Sequence, residues 1–470
     1  MPSPTISQKF AAFAAQLNPP RLPREVVHHA KLCILDSLGI GLASTRYDFA
    51  DSIMAAATEM GGNGQSPVIG QRARLSLRDA LLANGTLIHG LDFDDTHGAS
   101  VVHCSASAVP LAFNLGLQVQ ASGADTLAAY VLAVELDARI GEVARGGLQR
   151  RGLHPTGIVG AFGCAGAAAW LKGLTQSVFC DALGITLSMA SGSMEFLADG
   201  AWTKRMHPGW AAVAGLTAAT LAGHAFKGPE RPFEGRFGLY NTLLGPGHDV
   251  DVEQIGNDLG RDWRTTGIAF KPYPACHFNH AFADCAIALK KEHGIEADDI
   301  ESATALIHAD QATVVCEPLA EKRRPANHYE AQFSVPYMIA ASIVRGRFTL
   351  AELEPEALED PAIVALAARI DYAEDPESAY PKYYSGSLVV NTRDGRRLEH
   401  REAVNRGADA NPLSESDILE KYFDNTRLAL SPSASEHLAD IVLCLESAPD
   451  LRELAEALTT VESAPHRQAV

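Results

Sequence analysis

Residues 89–103 read HGLDFDDTHGASVVH, which packs three aspartates and three histidines into fifteen positions. A histidine takes up or releases a proton near neutral pH, and a neighbouring carboxylate sets its charge and orientation. The stretch therefore suits acid–base work. Histidine and aspartate are also common metal ligands. No H-E-x-x-H spacing supports a helical zinc site here, so the reading is acid–base chemistry with no metal.

Three segments share one design. His103 in HCSAS, His154 in HPTG and His207 in KRMHPG each stand just ahead of a small-residue or apolar run with helical character. A helix N-terminus offers unpaired N–H groups to an anion, and a histidine beside it can bind that anion or move a proton. In TKRMHPGWAAVAG, Pro208 is expected to open the helix. Lys204, Arg205 and His207 then sit just before the positive end of a helix dipole, where cations are disfavoured. An anion held among them would resolve the conflict.

Two further residues stand out. Lys271 in FKPYPACHFNH lies between aromatic and proline residues. A partly buried lysine there would serve as a base or a carboxylate partner. Tyr337 in EAQFSVPYMIAA falls near the start of an apolar helix, where a core role competes with a chemical one. Neither a G-x-S-x-G elbow nor a Walker loop occurs, and Gly160, Gly163 and Gly166 lack the spacing of a dinucleotide fingerprint.

The elements that must hold these residues are helical in the first half. Helical patterns cover residues 23–45, 77–90, 125–145, 157–171 and 208–226. The last two are dominated by Ala and Gly and are expected to be buried, closely packed helices. No strand-rich segment is expected before about Asp249, which argues against a doubly wound sheet. Beyond Gly267, residues 301–310 read as a strand, and residues 387–400 as a hairpin around Asp394-Gly395. Helical patterns at 280–291 and 334–344 lie between them, and from about Ser414 the chain is helical again. The expected fold is mainly α. A large helical domain is built from both chain ends, residues 1–267 and 405–470, with a smaller α+β domain inserted at 268–404. The final ESAPHRQAV is expected to be a disordered tail.

Bulk properties exclude some functions. The formal charge is −18, from 57 acids against 39 Lys and Arg, so a general nucleic-acid or anionic-membrane binder is not expected. The eight cysteines are scattered without a C-x-x-C pair, which fits small buried hydrophobes in a reducing compartment. The N-terminus lacks a secretory signal pattern, and the charge-free runs are weakly apolar for a membrane span. A cytoplasmic location is expected.

Five motifs occur in one order: HGLDFDDTH…VVH, RGLHPTGIVGAFGCAGAAA, ADGAWTKRMHPGWAA, FKPYPACHFNHAFAD and EAQFSVPY. Together they resemble the MmgE/PrpD family over roughly residues 5–445. That family includes 2-methylcitrate dehydratase, cis-aconitate decarboxylase and iminodisuccinate epimerase. The resemblance implies an all-helical main domain, an inserted α+β lid and a homodimer. It also implies a small di- or tricarboxylate substrate and no metal or organic cofactor. The positions that match its functional residues are Asp92, Thr96, His103, His154, Lys204, His207, Lys271 and Tyr337. Family members often carry His-Pro where this chain has His103-Cys104.

The chemistry so implied is proton movement next to a carboxylate. His103 is expected to carry the proton, with Asp92 orienting it and His154 and Tyr337 on the opposite face. Lys204, His207, Thr96 and Arg205 are expected to hold substrate, and Lys271 to stabilise developing negative charge. Loss of hydroxide or carbon dioxide makes the protein a lyase, the preferred reading. Return of the proton to the other face makes it an epimerase.

Overall fold

The computed structural model describes residues 3–198 and 200–459, so the expected disordered tail lies outside the described residues. The chain divides into two compact units. The first takes the residues up to Ala269 and those from Glu415 onward, and the second takes Phe270–Ser414.

The first unit begins as a helical assembly. Helix α1, Arg24–Ser44, is buried at every position from Ala30 to Ser44. It is long and apolar enough to cross a membrane by length and composition. Within the unit it is instead an inner helix, with Lys31 ion-paired to Glu446. Helix α2, Leu77–His89, starts at Ser76, whose hydroxyl caps the Asp79 N–H. Helices α3, Ser105–Gln118, and α4, Gly123–Glu142, follow. Helix α5, Pro155–Leu171, has His154 at its N-cap and Pro155 at the first position, where a missing N–H costs nothing. It is buried from end to end except at its last turn.

Helix α6 corrects an expectation. It runs Thr203–Gly223, so Pro208 lies inside it and Lys204, Arg205 and His207 occupy its first two turns. Pro208 does deny the Lys204 carbonyl its usual partner. Tertiary packing outweighs that cost. Gly85 of α2 and Gly209 of α6 meet so closely that a Cβ on Gly85 would stand 2.4 Å from the Gly209 Cα. The two backbones cross at contact distance, which only glycine permits.

Short strands also occur where none were expected. Strand β1, Asn63–Pro67, pairs with β2, Arg74–Leu75, and β3, Thr96–His97, pairs with β4, Ile268–Ala269, both antiparallel. Each is a two-stranded ribbon.

The second unit is α+β. It contains helices α7, His280–His293, and α8, Val335–Arg345, with strands β5, Ile300–Ile307, β6, Ile370–Glu374, β7, Gly386–Thr392, and β8, Arg397–Glu402. The sheet order is β6-β5-β7-β8, with β5 and β6 parallel and the other pairs antiparallel. Helix α7 packs on β7 and β8. Gly395, at φ 86°, makes the β7–β8 turn. β8 is an edge strand whose sequence, RLEHRE, is charged enough to discourage further pairing.

The chain then returns to the first unit. Helices α9, Glu415–Thr426, and α10, Pro432–Leu443, both pack on α1.

Candidate active site

The site in the first unit is built where the end of α2, the following loop and the starts of α3, α5 and α6 converge. His89 closes α2, and its Nδ1 lies 2.8 Å from Asp94 Oδ2, with both side chains wholly buried. The loop after it is backbone-strained. Asp92 has φ 50° and Val101 φ 57°, a region that non-glycine residues seldom adopt and that recurs at functional sites.

Three contacts hold the loop in that shape. The β3–β4 ribbon pairs Thr96 with Ala269 and His97 with Ile268. The Nδ1 of His97 meets Ser100 Oγ at 2.9 Å. From α9, Lys421 donates to the Phe93 carbonyl at 2.9 Å, pairs with Asp36 Oδ1 at 2.8 Å and lies 3.9 Å from the Phe93 ring centre. Burial pulls Lys421 below the ordinary lysine range and pushes Asp36 above the carboxylate range. Their mutual attraction opposes both shifts.

His103 hangs from this loop. Its Nδ1 stands 2.9 Å from the Asp95 carbonyl, 3.3 Å from Thr96 Oγ1 and 3.5 Å from Asp94 Oδ2. A carbonyl only accepts, so Nδ1 carries the hydrogen and Nε2 is the basic atom of the neutral ring. The His103 N–H donates to Thr156 Oγ1 in the first turn of α5. His103 is thus oriented by Asp95, Thr96 and Asp94. Asp92, expected in that role, instead forms an ion pair with Lys204, its Oδ1 2.7 Å from Nζ. The three aspartates serve different partners: Asp92 pairs with Lys204, Asp94 with His89 and Asp95 with Ser105.

Asp95 has a second function. Its carboxylate accepts from the Ser105 N–H at the start of α3 and makes a very short bond with the Ser105 hydroxyl. Tyr130 Oη lies 2.7 Å from the same hydroxyl, so a Tyr130–Ser105–Asp95 chain runs inward from the loop. Burial pushes the Asp95 carboxyl up to about 7.

His154 and His207 form a pair, Nδ1 to Nδ1 at 3.0 Å. Burial, then the neighbouring His89, Lys204, His207 and His103, pull His154 well below the usual histidine range. Burial, then His89 and Lys204, bring His207 down to about 4. Both shifts favour the neutral ring. The His89 ring stacks on His154 at 5.6 Å and meets His103 edge-on at 4.8 Å. Four imidazoles therefore form one connected cluster, with His89, His103 and His154 touching one another and His207 touching His154. Of these, His89 and its partner Asp94 were not among the residues selected from sequence. The available signal was a histidine in the last turn of a helix, five residues before an aspartate.

Lys204 and His207 are three residues apart in α6 and share one face of the helix. Arg205 does not share it. Successive helical residues point about 100° apart, and its guanidinium lies 4.5 Å above the Phe49 ring and 5.2 Å from the Trp202 ring. Its expected place with Lys204 followed from treating the segment as a loop.

Lys271 and Tyr337 belong to the second unit. Lys271 is buried, in a strip of chain pressed against Gly407, where a Cβ would stand 2.0 Å from the Phe270 carbonyl oxygen. Tyr337 is buried near the start of α8 and donates its hydroxyl to the Glu352 carbonyl at 2.5 Å. That is the bonding of a core tyrosine, and burial holds its hydroxyl well above the ordinary tyrosine range.

Comparison with known proteins places the chain in a family. Residues 8–251 match the MmgE/PrpD N-terminal domain and residues 273–447 the MmgE/PrpD C-terminal domain. The cis-aconitate decarboxylase-like protein oryM of Aspergillus oryzae is 27% identical, over 96% of this chain and 97% of its own length. Cis-aconitate decarboxylase of Homo sapiens is 28% identical, over 98% of this chain and 95% of its own. The 2-methylcitrate dehydratase of Escherichia coli is 25% identical, over 86% of this chain and 85% of its own. With both domain matches in order along the sequence, the chain belongs to the MmgE/PrpD family.

Proposed function

We propose that the protein is a cofactor-independent lyase acting on a small tricarboxylate, with decarboxylation of the cis-aconitate type as the reaction. The observation that carries this reading is the pair of buried Asp92 and partly buried Lys204 beside a connected cluster of four histidines. Lys204 is the proposed cation for a substrate carboxylate, and Asp92 balances its charge. Hydrogen bonds of this charge-assisted kind are about twice as strong as neutral ones. The starts of α5 and α6 bias the same region toward anions.

In the decarboxylation, the bond from carbon to one carboxylate breaks and carbon dioxide leaves. The electron pair shifts through the adjacent double bond to a carbon that takes a proton. His103 is the proposed donor. Asp94, at 3.5 Å, favours its charged form. Lys271 remains the proposed second cation, and Thr96 the residue that sets the His103 ring. The relatives named for decarboxylation span more of this chain than the dehydratase does, which orders the two lyase reactions.

A homodimer is proposed with this function. Trp210 and Leu221, three turns apart on α6, are exposed together with Trp202, Leu197 and Phe226. Such apolar exposure fits a second copy. A cytoplasmic location is proposed because all eight cysteines are unpaired thiols.

The test is proton NMR in D2O with cis-aconitate, 2-methylcitrate, citrate and iminodisuccinate in turn. Carbon dioxide release with deuterium in the product from cis-aconitate is expected. Water loss from 2-methylcitrate would make the protein a dehydratase instead, and exchange without net reaction on iminodisuccinate an epimerase. Inertness toward all of them removes the tricarboxylate reading.

A further inference from the structure

The four-histidine cluster carries a property beyond proton transfer. One ring nitrogen from each of His89, His103 and His154 lies within 4.8 Å of those of the other two. Each ring is held through its Nδ1. His89 Nδ1 binds the Asp94 carboxylate at 2.8 Å, His103 Nδ1 the Asp95 carbonyl at 2.9 Å, and His154 Nδ1 the His207 ring at 3.0 Å. Metal-ligating histidines show this pattern, with one nitrogen given to a carboxylate, carbonyl or other acceptor so that the second nitrogen's lone pair faces the ion. A second observation points the same way. His89 Nε2 is buried and has no hydrogen-bond partner among the described residues. A buried polar atom left so costs free energy unless something binds it.

We propose that His89, His103 and His154 form a three-histidine site for a zinc-like divalent cation, and that its occupancy blocks the proton transfer of the same histidines. Zinc bonded at about 2.0–2.1 Å to each nitrogen in tetrahedral geometry spaces them about 3.3–3.4 Å apart. The nitrogen–nitrogen separations therefore close by about 1.5 Å at most from the observed 4.8 Å limit. The His103 side chain, 11% exposed while His89 is wholly buried, gives the ion its entry and leaves the fourth position for water or a substrate carboxylate. Neutral imidazoles favour zinc, cobalt, nickel and copper over magnesium and calcium, which prefer oxygen ligands. A metal on His103 occupies the nitrogen that would carry the transferred proton, so the ion acts as an inhibitor.

The site shares its residues with the proposed lyase but does not depend on which substrate is turned over. Co2+ is titrated into the untagged full chain and read by its visible absorption, which is intense for four-coordinate geometry. One Co2+ per chain is expected, displaced by Zn2+ and indifferent to Mg2+. His89→Gln is expected to abolish the signal, and Asp94→Asn to weaken binding about 10–100-fold, as loss of a partner to a ligating histidine does. Circular dichroism establishes folding of each variant, and Asp94→Asn decides if His89→Gln does not fold. No stoichiometric cobalt signal from the wild type overturns the site, as does a signal unchanged in a folded variant. Turnover of cis-aconitate is assayed on the same samples with one equivalent of Zn2+. Loss of turnover is expected, and full turnover of a zinc-loaded chain overturns the inhibitory role. Cobalt binding by a chain inert toward every polycarboxylate sinks the substrate reading alone.

Discussion

The Nδ1 atoms of His154 and His207 face each other across 3.0 Å, so one ring bears a hydrogen there and the other does not. Two protonated rings cannot share that geometry. Stability consequently depends on pH. The unfolded chain protonates histidine near about 6.5, while folded His207 resists protonation down to about 4. Between those values the unfolded state binds more protons, and stability falls as pH falls. His207→Gln should therefore flatten the decline of Tm from pH 6.5 toward 4. Parallel curves for variant and wild type would show that the pair does not control it.

Asp95 acts in the opposite sense. Its carboxyl titrates near about 7 in the folded protein and near about 3.9 in the unfolded chain. The stability it contributes is full below the unfolded value and is lost as pH rises through about 7. Asp95→Asn removes that loss. The Tm difference, variant minus wild type, should grow from pH 5 to pH 8, by an amount on the order of 3 kcal/mol when converted to free energy. A difference constant with pH would mean that Asp95 is ionised throughout.

Lys204 and Arg205 are adjacent in sequence but should fail differently. Lys204→Met removes a hydrogen-bonding cation worth about 1.5–3 kcal/mol, so KM for the tricarboxylate should rise roughly ten- to hundredfold. Arg205→Met removes stacking on Phe49 and Trp202, worth about 0.5–2 kcal/mol. It should lower Tm with KM unchanged. Steady-state kinetics beside thermal melts separate the two, and an equal rise in KM would return Arg205 to the substrate.

Lys421→Met strips Asp36 of its buried partner and frees the Phe93 carbonyl. Breaking a buried pair from one side costs about 3–5 kcal/mol. Lys421→Met with Asp36→Leu should recover most of that stability, since no charge is left stranded. It should not recover kcat, because the loop carrying Asp92 and Asp94 still lacks its anchor. Recovery of both would reduce Lys421 to a purely structural residue.

Lys271→Ala and Tyr337→Phe test the second unit. Lys271→Ala is expected to raise KM and lower kcat together. Tyr337→Phe loses one buried hydrogen bond, to Glu352, so a stability loss of about 1 kcal/mol is expected with kcat nearly intact. A large fall in kcat for the folded Tyr337→Phe chain would place that hydroxyl in the chemistry after all.

Where local rules governed, the sequence was legible. Asp394-Gly395 marked the β7–β8 turn because glycine supplies positive φ. The expectation that a proline opens the helix misplaced the start of α6. At Pro208 the glycine-to-glycine crossing with α2 outweighs one lost hydrogen bond. The loop histidines and aspartates were recognised as a group, but not which aspartate serves which partner. That depends on the path of a loop with positive φ at Asp92, which no residue type there announces. Lys421 was out of reach, because its partner Asp36 lies 385 residues away and nothing local links them.

The same long-range pairing gives the molecule a temporal order. Synthesis runs from the N-terminus, and domains tend to fold as they emerge. The segments bearing all four histidines, and the second unit's Phe270–Ser414, are made before α9 exists. Until then Asp36 and the Phe93 carbonyl have no cation from α9, and the loop between α2 and α3 lacks its anchor. A chain translated only as far as Ser414 would carry all four histidines, Asp92 and Lys204, with the β3–β4 ribbon and the His97–Ser100 contact in place but not Lys421. The last of the restraints on that loop thus comes from α9, which is translated after the segments it steadies.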